Sequence, residues 1–142
     1  SDTDRHPRRN CGRRLMVGEM SDALMAFLAE RHLATLVTLR ADGSPHAVPV
    51  GFTFADGVAR VITSARSVKV ANVRRDPRVS LTQVDGRRWV TLAGIAAVHD
   101  DTGRLTAAVA MYEQRYRPPR PNPERVVIEI DVRQVLCNSS LR

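Results

Sequence analysis

The stretch from Val58 to Leu81, VARVITSARSVKVANVRRDPRVSL, sets the architecture of this chain. It begins as a strand, with Val58, Val61 and Ile62 apolar, and breaks at Thr63-Ser64-Ala65-Arg66. Ser67 then opens a short helix that stops at Asp76-Pro77, before a second strand. A strand that hands the chain to a helix N-terminus creates an anion site, because unpaired backbone N–H groups and the positive end of the helix dipole converge there. Lys69 adds a full charge in the first turn, and Thr63, Ser64 and Ser67 add hydroxyl donors. Of 22 Lys plus Arg, 21 are Arg, so Lys69 is the only lysine. Spacing alone does not separate an anion ligand from an exposed helix residue that happens to be lysine.

Outward from this stretch, the chain reads as strands joined by tight turns. Ser21-Asp22 caps a helix running to about Arg31, with Leu24, Phe27 and Leu28 on one stripe. Leu33–Leu39 is a β-rich run closed by Asp42-Gly43, and Pro45–Phe54 is a second strand closed by Asp56-Gly57. Asp85-Gly86 separates Val79–Gln83 from Arg88–Val98. Asp-Gly between apolar runs is a strong hairpin signal, since Gly takes the positive φ of a tight turn. On the second strand Val48, Val50, Phe52 and Phe54 face one way, toward a core. Ala47, Pro49, Gly51 and Thr53 face the other, leaving room for something flat or marking a bulge at Gly51. Leu105, Ala108, Val109, Tyr112 and Tyr116 predict a helix over 104–117. Residues 117–123, with four prolines, form an extended connector, read as a rigid spacer in preference to a lid. Val126, Ile128, Ile130 and Val132 alternate in a last strand. Six strands, two longer helices and one short helix predict a mainly β fold, a closed or nearly closed antiparallel barrel with peripheral helices.

The chain has 142 residues and a net charge of +7. Residues 1–20 read as a flexible basic extension and 21–142 as a single barrel domain. The extension has arginines but no apolar run after them, so no secretory signal is expected, and no segment is apolar enough to span a membrane. Cys11 and Cys137 give neither a disulfide framework nor metal spacing, which suits a reduced cytoplasm. His6, His32, His46 and His99 stand apart, and no nucleophile elbow, zinc motif or phosphate loop appears, so no catalytic residue and no metal ligand is assigned. Nucleic acid is not the expected partner: three Phe, two Tyr and one Trp are a poor supply of stacking platforms. The charge fits an anionic small molecule, and a bound cofactor would carry the chemistry.

The order helix, LATLVTL strand, Asp-Gly turn, Pro-led strand and V-I-T-S-x-x-S-x-K-x-x-N-x-x-R-D-P-R-V-S-L resembles the pyridoxamine 5′-phosphate oxidase-like family of split β-barrels. The likeness runs from about Ser21 to Leu136, and Lys69–Leu81 is its most specific part. Gly51-Phe52-Thr53-Phe54, the Asp85-Gly86-x-x-Trp89 turn and Tyr116–Pro123 look most like the actinobacterial branch that uses the deazaflavin coenzyme F420, nearest its biliverdin-reducing members. The resemblance implies a six-stranded split barrel and a homodimer with the cofactor at the subunit interface. It implies that Ile62, Thr63, Ser64, Ser67, Val68, Lys69 and Asn72 lie about the phosphate and ribityl end, and that Val48, Pro49, Val50, Gly51 and Trp89 lie along the ring, some of them contributed by the partner subunit. Val48 stands where pyridoxamine phosphate oxidases proper carry Arg, and their C-terminal substrate region has no counterpart, so vitamin B6 oxidation is not expected.

The function this implies is hydride transfer from reduced F420 to an unsaturated small-molecule acceptor, biliverdin among the candidates. Arg115, Arg117 and Arg120, with Arg87 and Arg88, are candidates to pair with acceptor carboxylates or with the cofactor's acidic tail. The alternatives are an FMN-binding oxidase or reductase of the same fold and a non-catalytic carrier of F420 or a tetrapyrrole.

Overall fold

A computed structural model describes residues 13–142; the arginine pair at 8–9 and Cys11 lie outside the described residues. The strands are β1 (Arg13–Leu15), β2 (Ala34–Leu39), β3 (Pro45–Val50), β4 (Thr53–Ala55), β5 (Val58–Ser64), β6 (Arg78–Asp85), β7 (Arg88–His99) and β8 (Arg125–Cys137). The helices are α1 (Asp22–Ala29), α2 (Val68–Arg75) and α3 (Thr102–Arg115). All pairings are antiparallel, in the order β3-β2-β6-β7-β8-β5-β4, with β1 added to β8. The three Asp-Gly turns form as predicted, each with its glycine at positive φ.

Two differences from the predicted barrel have physical causes. Eight strands form among the described residues rather than six. One addition is β1, which pairs with Val135–Cys137 and buries Leu15 at 2% exposure, so residues 13–19 belong to the fold and not to the extension. The other arises because Pro45–Phe54 is not one strand: it ends at Val50 and resumes at Thr53. Alternation fails at that break, where consecutive Phe52 and Thr53 are both buried.

The break also explains why the sheet does not close. β3 pairs only with β2, and β4 only with β5, so the two ends of the sheet are joined by Gly51-Phe52 of the chain and not by a ladder. A barrel with a split results.

The core lies inside the curl of this sheet. Leu36, Leu81, Leu92, Ile128 and Ile130 fill it, and Leu24 and Phe27 of α1 close one end, all essentially without solvent contact. An eight-residue helix is unstable alone. Burial of Leu24 and Phe27, worth about 2 kcal/mol each, holds α1 in place together with its cap, in which Ser21 Oγ accepts from Leu24 N at 3.0 Å. No helix among the described residues is long and apolar enough to cross a membrane.

Candidate functional site

A cavity of about 450 Å³ opens at the split. Its walls are Pro49, Val50 and Gly51 from the end of β3, Ile62, Thr63 and Ser64 from β5, Lys69 of α2, Tyr112 of α3, and Pro119–Asn122 with Arg125. Eight of the residues singled out from sequence therefore meet in one place: Pro49, Val50, Gly51, Ile62, Thr63, Ser64, Lys69 and Arg120. The walls hold three cations and no acid.

The anion end is built as the sequence suggests. β5 ends at Ser64, a turn closes with Ser67 N donating to Ser64 O at 3.1 Å, and α2 begins at Val68. Ser67 adopts the extended backbone of an N-cap, yet its side chain caps nothing, and its Oγ is buried without a partner. The first-turn N–H groups of α2 therefore keep their capacity for an external acceptor. Lys69 has no hydrogen bond or ion pair among the described residues. Burial pushes its ammonium below the ordinary value of 10.5. A half-buried, unpaired amine beside two hydroxyls is poised for a phosphate-like group.

Gly51, on the cavity wall, also lets α3 approach the backbone closely. A Cβ placed there would lie 3.0 Å from Tyr112 Cε2 and 3.3 Å from Tyr116 Cε2. On that side the backbone is met by the protein's own two rings, whose centroids lie 4.7 Å apart, and Tyr112 also lines the cavity.

The remaining expected residues do not line the cavity of the single chain. Val48 is half-buried against the core, Ser67 and Val68 are the cap and first residue of α2 at the anion end, and the exposed Arg117 follows α3. Trp89 is half-exposed on β7 with its backbone tied to Asn138, outside the cavity walls. Asn72 is buried at 3% exposure, donating to Thr38 Oγ1 at 3.0 Å and accepting from Arg75 at 2.8 Å, so it fastens α2 to the sheet.

Arg115 faces inward to the scaffold. It donates to Glu30 O at 2.8 Å, Phe52 O at 2.5 Å and Gln83 Oε1 at 2.5 Å, and lies over the Phe52 ring. The Tyr116 hydroxyl donates to His32 O at 2.5 Å and accepts from Phe52 N at 3.2 Å. Together they plug the gap left by the missing ladder and pin α3 across it.

Arg88 is similarly engaged, at 2.7 Å from Glu30 and 2.6 Å from Asp85. Its guanidinium, helped by His32, lowers the Glu30 carboxyl to about 2. Glu30, His32 and Asp85 bring three potential metal-ligand atoms within 4.8 Å of one another, a grouping their sequence separation conceals. Arg88 already pairs with both carboxylates of that cluster.

Sequence reasoning missed Tyr112, Asn122 and Arg125 as cavity walls, and treated 117–123 as a spacer when Pro119–Asn122 is one side of the site. The proline run was visible; its destination depends on where α3 packs.

Comparison with known proteins agrees with this architecture. The pyridoxamine 5′-phosphate oxidase family matches residues 20–137. An F420H(2)-dependent biliverdin reductase of Mycobacterium tuberculosis (strain CDC 1551 / Oshkosh) is 53% identical over 124 residues, covering 86% of this chain and 90% of that protein. Among solved structures, a conserved hypothetical protein from Mycobacterium tuberculosis superposes with a TM-score of 0.73 at 29% identity, over 86% of this chain and 85% of the other. A protein described as an F420 reductase shares the fold, with a TM-score of 0.64 at 20% identity over 78% of this chain and 93% of that one.

Proposed function

Because this chain belongs to the pyridoxamine 5′-phosphate oxidase family, we propose that it is an F420-dependent reductase that passes hydride from the reduced deazaflavin to an unsaturated acceptor, biliverdin being the acceptor its 53%-identical relative is named for. One observation carries the reading: the split opens onto a cavity whose only lysine is half-buried, unpaired and flanked by Thr63 and Ser64. Lys69, the two hydroxyls and the N-terminus of α2 would hold the cofactor's phosphate. Pro49, Val50 and Gly51, backed by Tyr112, would flank the ring. When bound, the reduced cofactor supplies hydride from its C5; the protein supplies position and charge. No side chain of this set is needed as a nucleophile.

The same proposal includes a homodimer. The face of β3-β2-β6 turned away from the core carries Thr35, Val37, Ala47, Pro49, Thr82 and Val84, which the register aligns on one side. None of these six is charged, in a chain that is 26% charged; Arg78, at the start of β6, is the one charge that its strand adds to this face. Leu33 and Val84 at its rim are 62% and 58% exposed. Such a face is what a second copy would cover. Pro49 belongs both to it and to the cavity wall, which favours a cofactor bound beside the interface.

Titration of the purified protein with F420 and, separately, with FMN tests the reading. Submicromolar to micromolar F420 binding and F420H2-dependent biliverdin reduction are expected. Tight FMN binding without F420 binding would make it a flavin enzyme, and F420 binding without turnover on any acceptor would make it a carrier.

A further inference from the structure

The cavity holds more positive charge than one phosphate diester neutralises. Lys69, Arg120 and Arg125 line it without an acidic neighbour, whereas a diester carries about one negative charge. Arg125 is the surplus cation with the most definite geometry. Its backbone pairs with Ser64, so its side chain leaves the sheet on the same face as that hydroxyl. One Nη2 hydrogen goes to the carbonyl of Arg120, and Nε and Nη1 meet no partner among the described residues.

The proline segment that receives this bond is itself tied down. Arg125 N donates to Asn122 O at 3.1 Å and Glu124 N to Asn122 Oδ1 at 2.9 Å. Ala65 N donates to Glu124 O at 2.8 Å, and Arg66 lies 3.1 Å from Glu124. Residues 119–125 are thereby fastened to the turn that builds the anion end. A guanidinium held in this way is preorganised, with donors to spare in a planar fork that suits a carboxylate. An ammonium such as that of Lys69 acts as a point charge suited to phosphate.

We infer that Arg125, anchored on the Arg120 carbonyl, forms a carboxylate subsite adjoining the Lys69 anion site. The inference rests on the proposed cofactor reading only for the source of the carboxylate, which is either the acidic tail of the cofactor or the propionate of a tetrapyrrole acceptor.

Thermal unfolding of wild type, Lys69→Ala, Arg125→Ala and Arg125→Lys, each alone, with inorganic phosphate and with glutarate, tests the subsite without cofactor. Glutarate raises the melting temperature of wild type and Lys69→Ala, leaves Arg125→Ala unmoved and protects Arg125→Lys in part; phosphate protection is lost in Lys69→Ala and kept in Arg125→Ala. The subsite is refuted if glutarate fails to protect wild type or protects Arg125→Ala equally. It is also refuted if both ligands lose their effect together in Arg125→Ala, because Arg125 would then be part of the Lys69 site.

The source is read with Arg125→Lys. If the cofactor supplies the carboxylate, F420 affinity falls about tenfold while affinity for its tail-free deazaflavin fragment is unchanged. If the acceptor supplies it, KM for biliverdin rises about tenfold and KM for biliverdin dimethyl ester does not. Neither change would overturn the assignment of a ligand carboxylate to Arg125. Absence of F420 binding to wild type would refute the cofactor reading alone and leave the glutarate result standing.

Discussion

Lys69 and Arg115 are both cations that burial pushes below their ordinary pKa, yet the fold treats them in opposite ways. Arg115 spends its donors on two main-chain carbonyls and the Gln83 amide, and its plane on Phe52. Lys69 has no such partner and lines a cavity. A buried polar group is normally satisfied because leaving it unmet costs free energy. The first cation is therefore scaffold, replacing the ladder that the sheet lacks between β3 and β4. The second is left unmet at a place where a ligand can complete it. Charge and burial alone do not distinguish the two; the partner inventory does.

That contrast is sharpest under truncation. Arg115→Ala strands Phe52 O and Gln83 Oε1 inside the protein and is expected to lower stability by about 3 kcal/mol, read from urea unfolding. Arg115→Lys, which lacks the fork, should recover only part. Loss of stability below about 1 kcal/mol would show that Arg115 is not the plug described here.

Lys69→Ala should do the reverse. F420 affinity is expected to fall about 30-fold, or about 2 kcal/mol, while stability stays within about 0.5 kcal/mol of wild type. A large stability loss would erase the distinction between the two cations.

Gly51→Ala probes the boundary between scaffold and site. Its new methyl must displace the Tyr112 ring edge at 3.0 Å, costing about 1 kcal/mol and shifting the wall on which the cofactor ring would rest. Unaltered stability and cofactor affinity would mean that the Tyr pair has slack the structure does not show.

The smallest effect is one of pH. The folded-state pKa of Lys69 lies below its unfolded value, so in the window just below the ordinary 10.5 the unfolded chain binds more protons, and stability of the ligand-free protein rises with pH there. The slope should vanish in Lys69→Met and shrink when phosphate is bound. Urea midpoints at pH 8 and pH 10 check it.

Much of the scaffold region was hidden from sequence reasoning, whereas the anion end was legible. Val58–Leu81 announces its strand, turn and helix through β-branched residues, hydroxyls and a proline stop, all local signals. The three Asp-Gly turns are local as well, and they fixed the antiparallel pairing. The break at Gly51-Phe52 was not foreseen, since glycine in an alternating run marks a bulge, a corner or a split equally well. Its outcome is settled by Tyr116 and Arg115, more than 60 residues further on. Long-range partners likewise tie Asn72 into the α2–sheet contact, engage Arg115 and Arg88 with the scaffold, and bring the proline connector onto the cavity. Residues 13–15 read as tail because a three-residue strand beside arginines has no periodicity; Leu15 alone carries the burial.

A crystal structure of the F420 complex tests the central claim most directly. The phosphate is expected within hydrogen-bond distance of Lys69 Nζ and the Thr63 and Ser64 hydroxyls, with the ring along Pro49–Gly51. Density for the cofactor on any other surface, with Lys69 still unpartnered, would contradict it.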